Sequence, residues 1–117
     1  MKNSVVKDKS FAFALRIVKL HQYLTKEKKE YVLSKQLLRS GTAIGALVRE
    51  AQQAESKADF IHKLAIALKE ANETDYWLEL LHQSGYIDLK GFQSISADAQ
   101  ELLKLLTSII KTTKKNT

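Results

Sequence analysis

Apolar residues recur three and four positions apart along most of the chain, and this spacing is typical of amphipathic α-helices. The pattern is clearest in the last segment, where one stripe consists of Phe92, Ile95, Ala99, Leu102, Leu106 and Ile109. Four stretches carry the pattern, at about residues 8–25, 30–54, 57–84 and 88–112. It therefore predicts four helices that each turn one apolar side towards a common core.

The stretches between the predicted helices carry residues that begin and end helices. Ser56 is a predicted N-cap with Asp59 three residues later, and Asp88 is a predicted N-cap of the fourth helix. Gly85 is expected to end the third helix in the left-handed conformation. Because all connections are short, consecutive helices must run antiparallel. We predict an all-α fold, an antiparallel up-down-up-down four-helix bundle, with residues 1–117 in a single domain.

Two glycines, Gly41 and Gly45, fall inside the second predicted helix. A glycine inside a helix costs up to about 1 kcal/mol relative to alanine. Two of them one turn apart indicate either that a neighbouring helix packs tightly there or that the helix bends.

Helices one and three carry more apolar surface than one bundle requires. The first helix has one stripe of Phe11, Ala14, Leu15 and Val18, and a second stripe lies roughly 140° away around the axis. Excess apolar surface that contains tryptophan is typical of protein contacts. We predict self-association through two surfaces. They are the second stripe of helix one, Phe13, Ile17, Leu20 and Leu24, and one flank of helix three, Ile66, Trp77 and Leu80. The alternative is a splayed bundle that buries both stripes internally.

The sequence contains few of the residues and motifs that catalysis, cofactor binding or metal binding requires. It contains no cysteine, which excludes disulfides, thiolate metal sites and thiol nucleophiles, and it has neither a glycine-rich phosphate loop nor a serine elbow. Glu79 and His82 have the Glu-x-x-His spacing of di-iron bundles, but such sites need the motif twice. We expect no metal, no cofactor, no small-molecule substrate and no enzymatic activity. The carboxylates near apolar faces, Glu50, Glu73 and Asp75, are interpreted as structural partners of Arg39 or Arg49.

The N-terminal segment interleaves lysines with apolar residues, and no stretch approaches the roughly 18 apolar residues of a membrane span. We therefore expect a cytoplasmic protein that does not associate with membranes.

Positive charge is concentrated towards the chain ends. Residues 1–35 hold nine Lys and Arg against three acids, residues 36–110 hold seven against ten, and residues 111–117 add three lysines. In an antiparallel bundle both termini and the second loop share one end, so Lys2, Lys7 and Lys57 are expected beside those lysines. We predict that RNA or DNA is bound through its phosphates. The candidate residues are Lys9, Arg16, Lys19, Tyr23, Lys26, Lys28, Lys29, Lys111, Lys114 and Lys115. The alternative is that these lysines only solvate exposed helix faces.

The middle of the chain resembles a known family. The stretch YVLSKQLLRSGTAIGALVREA, residues 31–51, is followed by Asp59-Phe60-Ile61 and by EANETDYWLELLHQSGYI, residues 70–87. Together they resemble the four-helix-bundle family named for proteins encoded in intervening sequences of 23S ribosomal RNA genes. The resemblance implies a bacterial, cytoplasmic up-down bundle that assembles into a ring-shaped pentamer. The similar accessory protein of diversity-generating retroelements is a basic pentamer that works with nucleic acid and a reverse transcriptase.

These observations lead to one main interpretation and two alternatives. The main one is a non-enzymatic homo-oligomer, pentameric by resemblance, that presents a basic surface to RNA or DNA. The first alternative is a scaffold whose helices one and three recruit another protein, while the lysines only keep it in solution. The second is an enzyme whose site forms across a subunit interface.

Overall fold

The computed structural model describes residues 2–116 and the side chains of residues 5–116. Four helices follow one another: α1 Lys2–Lys26, α2 Leu33–Gln52, α3 Lys57–Gln83 and α4 Leu89–Lys115. Each packs against the next, and α1 also contacts α4, so the helices close into an elongated bundle of about 49 × 21 × 19 Å. The described residues contain no strand. The predicted all-α, antiparallel four-helix bundle is confirmed.

The helix boundaries differ from the prediction by three or more residues at three ends. The first helix begins at Lys2 rather than near Asp8 because Val6 continues its apolar stripe and is buried in the core. The fourth helix continues to Lys115, beyond the predicted end at residue 112. The second begins at Leu33 rather than at residue 30, for a reason that lies in the turn before it.

The predicted capping residues act as expected. The Ser56 side chain accepts a hydrogen bond from the Asp59 backbone N–H at 3.0 Å, which satisfies an N–H at the start of α3. Asp88 Oδ1 accepts one from the Gly91 N–H at 2.7 Å at the start of α4. Gly85 adopts a φ of 86° after α3, the left-handed stop predicted from the sequence.

One core of apolar side chains runs the length of the bundle. Each helix contributes a stripe spaced three and four residues apart, as the pattern predicts. The largest fully buried side chains are Val6, Phe13, Ile17, Leu24, Leu37, Ile44, Val48, Leu64, Leu78, Leu81, Leu102 and Leu106. The Thr74 hydroxyl donates a hydrogen bond to the Ser40 Oγ at 2.9 Å inside the α2–α3 contact, so both buried hydroxyls have a partner.

The glycines of α2 allow α1 to approach closely. A Cβ added to Gly41 would lie 2.8 Å from both Cγ atoms of Ile17, and one added to Gly45 would lie 3.3 Å from the Ser10 carbonyl oxygen. Of the two sequence interpretations, tight packing is therefore correct at both positions. The fully buried Ile17 side chain occupies the space that a side chain at Gly41 would need.

Substituting Gly41 tests this contact. We expect Gly41→Ala to lower the free energy of unfolding by about 1–3 kcal/mol, the usual cost of overpacking, although alanine favours the helix. In the double variant Ile17→Ala, Gly41→Ala, the clash is removed, so its loss should be smaller than the sum of the two single losses. Urea unfolding followed by circular dichroism measures all three. Additive losses would show that the two positions do not compete for space.

Candidate nucleic-acid interface and apolar surfaces

The two apolar stripes of α1 have the opposite roles to those predicted. Phe13, Ile17 and Leu24 are almost completely buried in the core, and Leu20 packs against it half-buried. Phe13, Ile17 and Leu24 are therefore not available to a self-association surface, and their assignment to one was wrong, while that of Leu20 stays a prediction. The close approach of α2 at Gly41 draws their side of α1 inwards, and the other stripe is left outside.

Three exposed apolar side chains lie on one side of α1, and we call them the outer α1 stripe: Phe11, Leu15 and Val18. Their exposed fractions are 50%, 51% and 37%. The Arg49 guanidinium from α2 lies 5.2 Å from the centre of the Phe11 ring, a cation–π contact at the edge of the stripe. The stripe is therefore an apolar surface with a cationic border.

The predicted flank of α3 is held partly within its own chain. Trp77 packs against the core, half-buried, and its indole Nε1–H donates a hydrogen bond to Glu73 Oε2 at 2.8 Å. Ile66 and Leu80 are also half-buried. The exposed aromatic side chain beside them is Tyr76, whose ring meets that of Trp77 edge to face at 5.0 Å. The sequence prediction missed Tyr76 because its position is neither on the core stripe nor on the predicted flank.

Arg39 links α2 to α3 beside Trp77. Its guanidinium donates to Glu73 Oε2 and, at 3.2 Å, to Glu70 Oε1. The hydrogen bonds from the Trp77 indole and the Arg39 guanidinium hold the pKa of Glu73 below its ordinary value. Glu73 is thus the partner of Arg39, as the sequence suggested, and it stays ionised at neutral pH.

The other two carboxylates have different partners from those expected. Glu50 pairs with Lys63 at 3.1 Å rather than with an arginine, and Asp75 accepts a hydrogen bond from Gln100 at 3.2 Å. Arg49 instead contacts Phe11. All three carboxylates thus have partners that tie neighbouring helices together.

The predicted basic stripe of α1 is only partly available to a ligand. Lys9 pairs with Glu101 at 3.1 Å, and Arg16 pairs with Asp98 at 2.7 Å while donating to Ser94 as well. Both contacts join α1 to α4, so the positive charge of these two residues is offset within the chain. Lys19 and Lys26 are exposed and form no ion pair with any residue that the structure describes.

A group of unpaired cations surrounds the connection between α1 and α2. We call it the lysine–tyrosine turn, and it consists of Tyr23, Lys26, Lys28, Lys29, Tyr31 and Lys35. All six side chains are exposed, and the Lys28 Nζ lies 6.0 Å from the centre of the Tyr23 ring. Tyr31 and Lys35 were missed from the sequence because residues 30–35 were predicted to be ordinary helix.

A buried carboxylate fixes the shape of this turn. Glu30 accepts hydrogen bonds from the backbone N–H groups of Val32, Leu33 and Ser34 at 2.6–3.0 Å, so it caps the start of α2. This cap is why α2 begins at Leu33. Burial raises the pKa of the Glu30 carboxyl, but the backbone hydrogen bonds outweigh it, so the pKa lies below its ordinary value.

Lys29, next to Glu30, has a φ of 55°, in the left-handed region that residues with a side chain seldom adopt. The chain reverses direction at this residue. The turn therefore has a defined backbone shape, with the Glu30 charge directed inwards and the lysines directed outwards.

The opposite end of the bundle carries the terminal lysine cluster, Lys111, Lys114 and Lys115. These side chains are exposed and line a shallow groove along the C-terminal half of α4 together with Lys104. The Lys57 Nζ donates to the Asn116 carbonyl, so the start of α3 lies beside the end of α4, as antiparallel packing requires. The predicted neighbour Lys2 has a side chain outside the described residues, and Lys7 is half-buried.

Neither a metal site nor a membrane span is found in the part of the chain that the structure describes. No three His, Cys, Asp or Glu side chains within residues 5–116 are grouped so as to hold a metal ion. His82 stacks on Phe92 with ring centres 4.5 Å apart, and its Nδ1 lies 2.8 Å from the Ile87 carbonyl oxygen. Among the same residues, every helix is too short or too polar to cross a bilayer.

Four antiparallel helices around one apolar core, with two basic ends, define a small basic four-helix-bundle protein. A sequence profile described as 23S rRNA-intervening sequence protein matches residues 2–108, and the chain belongs to that family. This confirms the resemblance noted from the sequence.

Comparison with solved structures agrees with this assignment. The chain is similar to a protein of unknown function from the S23 ribosomal protein family of Bacteroides thetaiotaomicron VPI-5482, whose crystal structure was determined at 1.70 Å resolution. The two are 63% identical and superpose with a TM-score of 0.94, over 95% of this chain and 99% of that one. No curated protein shows a significant match.

The cap formed by Glu30 makes a pH-dependent contribution to stability. Its lowered pKa means that this contribution is complete above the ordinary pKa of a glutamate and is lost as the pH falls through the lower, folded-state value. We expect Glu30→Gln to lower the free energy of unfolding by about 0.5–2 kcal/mol at pH 7, and by much less in acid. Glu27→Gln, which changes an exposed carboxylate of the same turn, is the control. Urea unfolding at several pH values measures the difference, and equal effects of both variants at pH 7 would contradict the cap.

Proposed function

We propose that this protein is a non-enzymatic homo-oligomer, a ring of five copies, that binds RNA or DNA through its phosphate groups without a cofactor. The number of copies is the one that the family resemblance implies. The observation that carries the proposal is the separation of the cations into paired and unpaired sets. Among the described residues, most of the unpaired lysines lie towards the two ends of the bundle, where a ring would repeat them around its axis, and Lys19 and Lys69 lie between the ends.

The outer α1 stripe supports self-association. A monomer seldom leaves a phenylalanine, a leucine and a valine exposed side by side on one helix, and contiguous patches of this kind mark protein contacts. Helices α1 and α3 both contact α2 and α4 but not each other, so they lie diagonally across the bundle. Their outward surfaces therefore point in opposite directions.

This diagonal arrangement suits a ring. A head-to-tail contact joins one surface of a subunit to a different surface of the next, and rings form when the rotation closes. The outer α1 stripe of one copy is proposed to pack on the α3 surface around Tyr76 and Leu80 of the next. That surface contains an exposed aromatic ring beside a shallow pocket of about 260 Å³.

A charge placed on the outer α1 stripe tests the assembly. We expect the wild-type protein to have an oligomeric mass and Leu15→Glu to lower it towards the monomer, because the new carboxylate would have to be buried in the contact. Leu89→Glu is the matched control, since Leu15 and Leu89 are 51% and 56% exposed. Light scattering and native mass spectrometry give the masses, and circular dichroism checks folding. A monomeric wild type, or equal masses for wild type and Leu15→Glu, would refute this interface.

Phosphate binding follows from the unpaired lysines. Cations that neutralise phosphates release condensed counterions, so affinity falls steeply with salt. Lysine is a mobile point charge without the fixed geometry of arginine, which suits contacts to phosphates more than to bases. The exposed lysines at both ends of the bundle thus support binding with little sequence preference.

Two charge-matched pairs of substitutions test this binding. We expect Lys28→Gln, Lys29→Gln and also Lys114→Gln, Lys115→Gln to weaken the binding of a labelled RNA oligonucleotide. Each should reduce the slope of log affinity against log salt by about 0.7–0.9 per lost phosphate contact. The control, Lys9→Gln, Lys63→Gln, removes the same charge from lysines that already pair with Glu101 and Glu50. Fluorescence anisotropy at two salt concentrations measures the effect. No binding by the wild type at low salt, or equal losses for all three double variants, would contradict the proposal.

A protein-binding scaffold is the second candidate, and the outer α1 stripe is the observation that favours it. In that case the stripe would contact a different protein, and the lysines would only keep the bundle in solution. A monomeric wild type that binds no polyanion at low salt would favour this function over the first.

A further inference from the structure

We infer that the lysine–tyrosine turn binds single-stranded nucleic acid, with unpaired bases stacked on Tyr23 and Tyr31 and phosphates held by the surrounding lysines. This inference rests on the proposed function and adds to it the place of binding and the form of the nucleic acid. The argument has three parts: the exposed rings, the unpaired cations around them, and the fixed backbone between them.

The two tyrosine rings offer stacking surfaces. Tyr23 and Tyr31 have exposed fractions of 43% and 58%; Tyr23 lies in the last turn of α1, and Tyr31 lies within the short connection between α1 and α2. Aromatic side chains bind single strands by stacking on successive bases, and every base offers a π-face, so such binding tolerates any sequence. In a duplex the bases are already stacked on one another. The rings therefore contribute binding energy for single strands only.

The lysines supply the electrostatic part of the site. Lys26, Lys29 and Lys35 are exposed and form no ion pair with any described residue, and Lys28 reaches only the Tyr23 ring. Of the two acids in the same stretch, Glu30 directs its carboxylate into the start of α2. Glu27 is left as the single outward acid against four outward lysines. A positive groove lined with aromatic rings is the combination by which single strands are held without sequence readout.

Hydrogen bonds fix the backbone of the turn before any ligand arrives. The N–H groups of Glu27 and Glu30 donate to the carbonyl oxygens of Tyr23 and Leu24 at 2.8 and 2.9 Å, which ties the connection to the end of α1. The Glu30 cap ties the same connection to the start of α2. A turn fixed at both ends loses little conformational entropy on binding, so more of the stacking energy appears as affinity.

The other basic end of the bundle lacks this combination. No aromatic side chain lies among the described residues of α4 beyond Phe92, and Phe60, one turn after Lys57 at this end, is half-buried, so the terminal lysine cluster has no exposed ring beside it. That end is equally suited to the phosphates of a duplex and of a single strand. We therefore attribute any preference for single strands to the lysine–tyrosine turn. The difference in affinity between a single strand and a duplex thus reports on this site.

The test replaces the rings and keeps the charges. Tyr31→Leu and Tyr23→Leu remove a π-face but keep an apolar side chain. The control is Leu89→Ala, which shortens an apolar side chain with an exposed fraction of 56% that belongs neither to the turn nor to the proposed contact between copies. The probes are labelled single-stranded oligo(dT), single-stranded oligo(U) and a DNA duplex of equal length, followed by fluorescence anisotropy at low salt. We expect the wild type to prefer the single strands. Each tyrosine variant of the turn should bind them at least about fivefold more weakly, while its duplex binding and the Leu89→Ala variant stay unchanged.

The possible results separate this inference from the proposed function. If the wild type binds neither the single strands nor the duplex, the proposed function fails and this inference fails with it. If single strands and duplex bind equally, and the tyrosine variants bind as the wild type does while Lys28→Gln, Lys29→Gln binds weakly, the proposed function stands and this inference is overturned. If Tyr31→Leu changes the oligomeric mass but leaves single-strand affinity intact, the turn is a contact between copies, and the inference is again overturned.

Discussion

The close approach of α1 to α2 at Gly41 and Gly45 sets the rest of the architecture. Without a side chain at Gly41, the α2 backbone makes room for Ile17, and this contact fixes the rotation of α1 about its own axis. The rotation places Phe13 in the core and leaves Leu15 outside. The missing side chain at Gly41 thus determines both which α1 residues lie in the core and which form the apolar surface proposed to contact another copy.

The same rotation divides the charges of α1 between two roles. Lys9 and Arg16 face α4 and pair with Glu101 and Asp98. Among the described residues, α1 and α4 are in contact without being joined by a connection, so these ion pairs bridge the seam where the bundle closes. Exposed pairs are worth at most about 1 kcal/mol each, so their main effect is to set the register of the two helices. Lys19 and Lys26 form no ion pair with any described residue and stay exposed.

Much of this fold is readable from the sequence, because helix periodicity and capping residues are local signals. Ser56 and Asp88 cap α3 and α4 as predicted, and the spacing of apolar residues gives four helices in the right order. Periodicity gives the angle between two stripes of a helix but not which neighbouring helix each will contact. The stripe containing Phe13 was therefore assigned to the surface although it lies in the core, and the stripe containing Leu15 is the exposed one. Glu30 was missed for a related reason. Glutamate is a good helix former, and the neighbouring residues do not show whether its carboxylate points away from a helix or accepts hydrogen bonds from the backbone at the start of one.

Lys29 shows a conflict between folding and charge within a single residue. A side chain in the left-handed region costs roughly 1–2 kcal/mol, a penalty that glycine at the same place would escape. The exposed ammonium group of Lys29 forms no ion pair with any described residue, so it does not offset this cost to stability. A variant designed for heat resistance would have glycine at this position, and the connection between α1 and α2 would then lose one positive charge. The most thermostable version of this bundle is therefore expected to carry less positive charge at this connection.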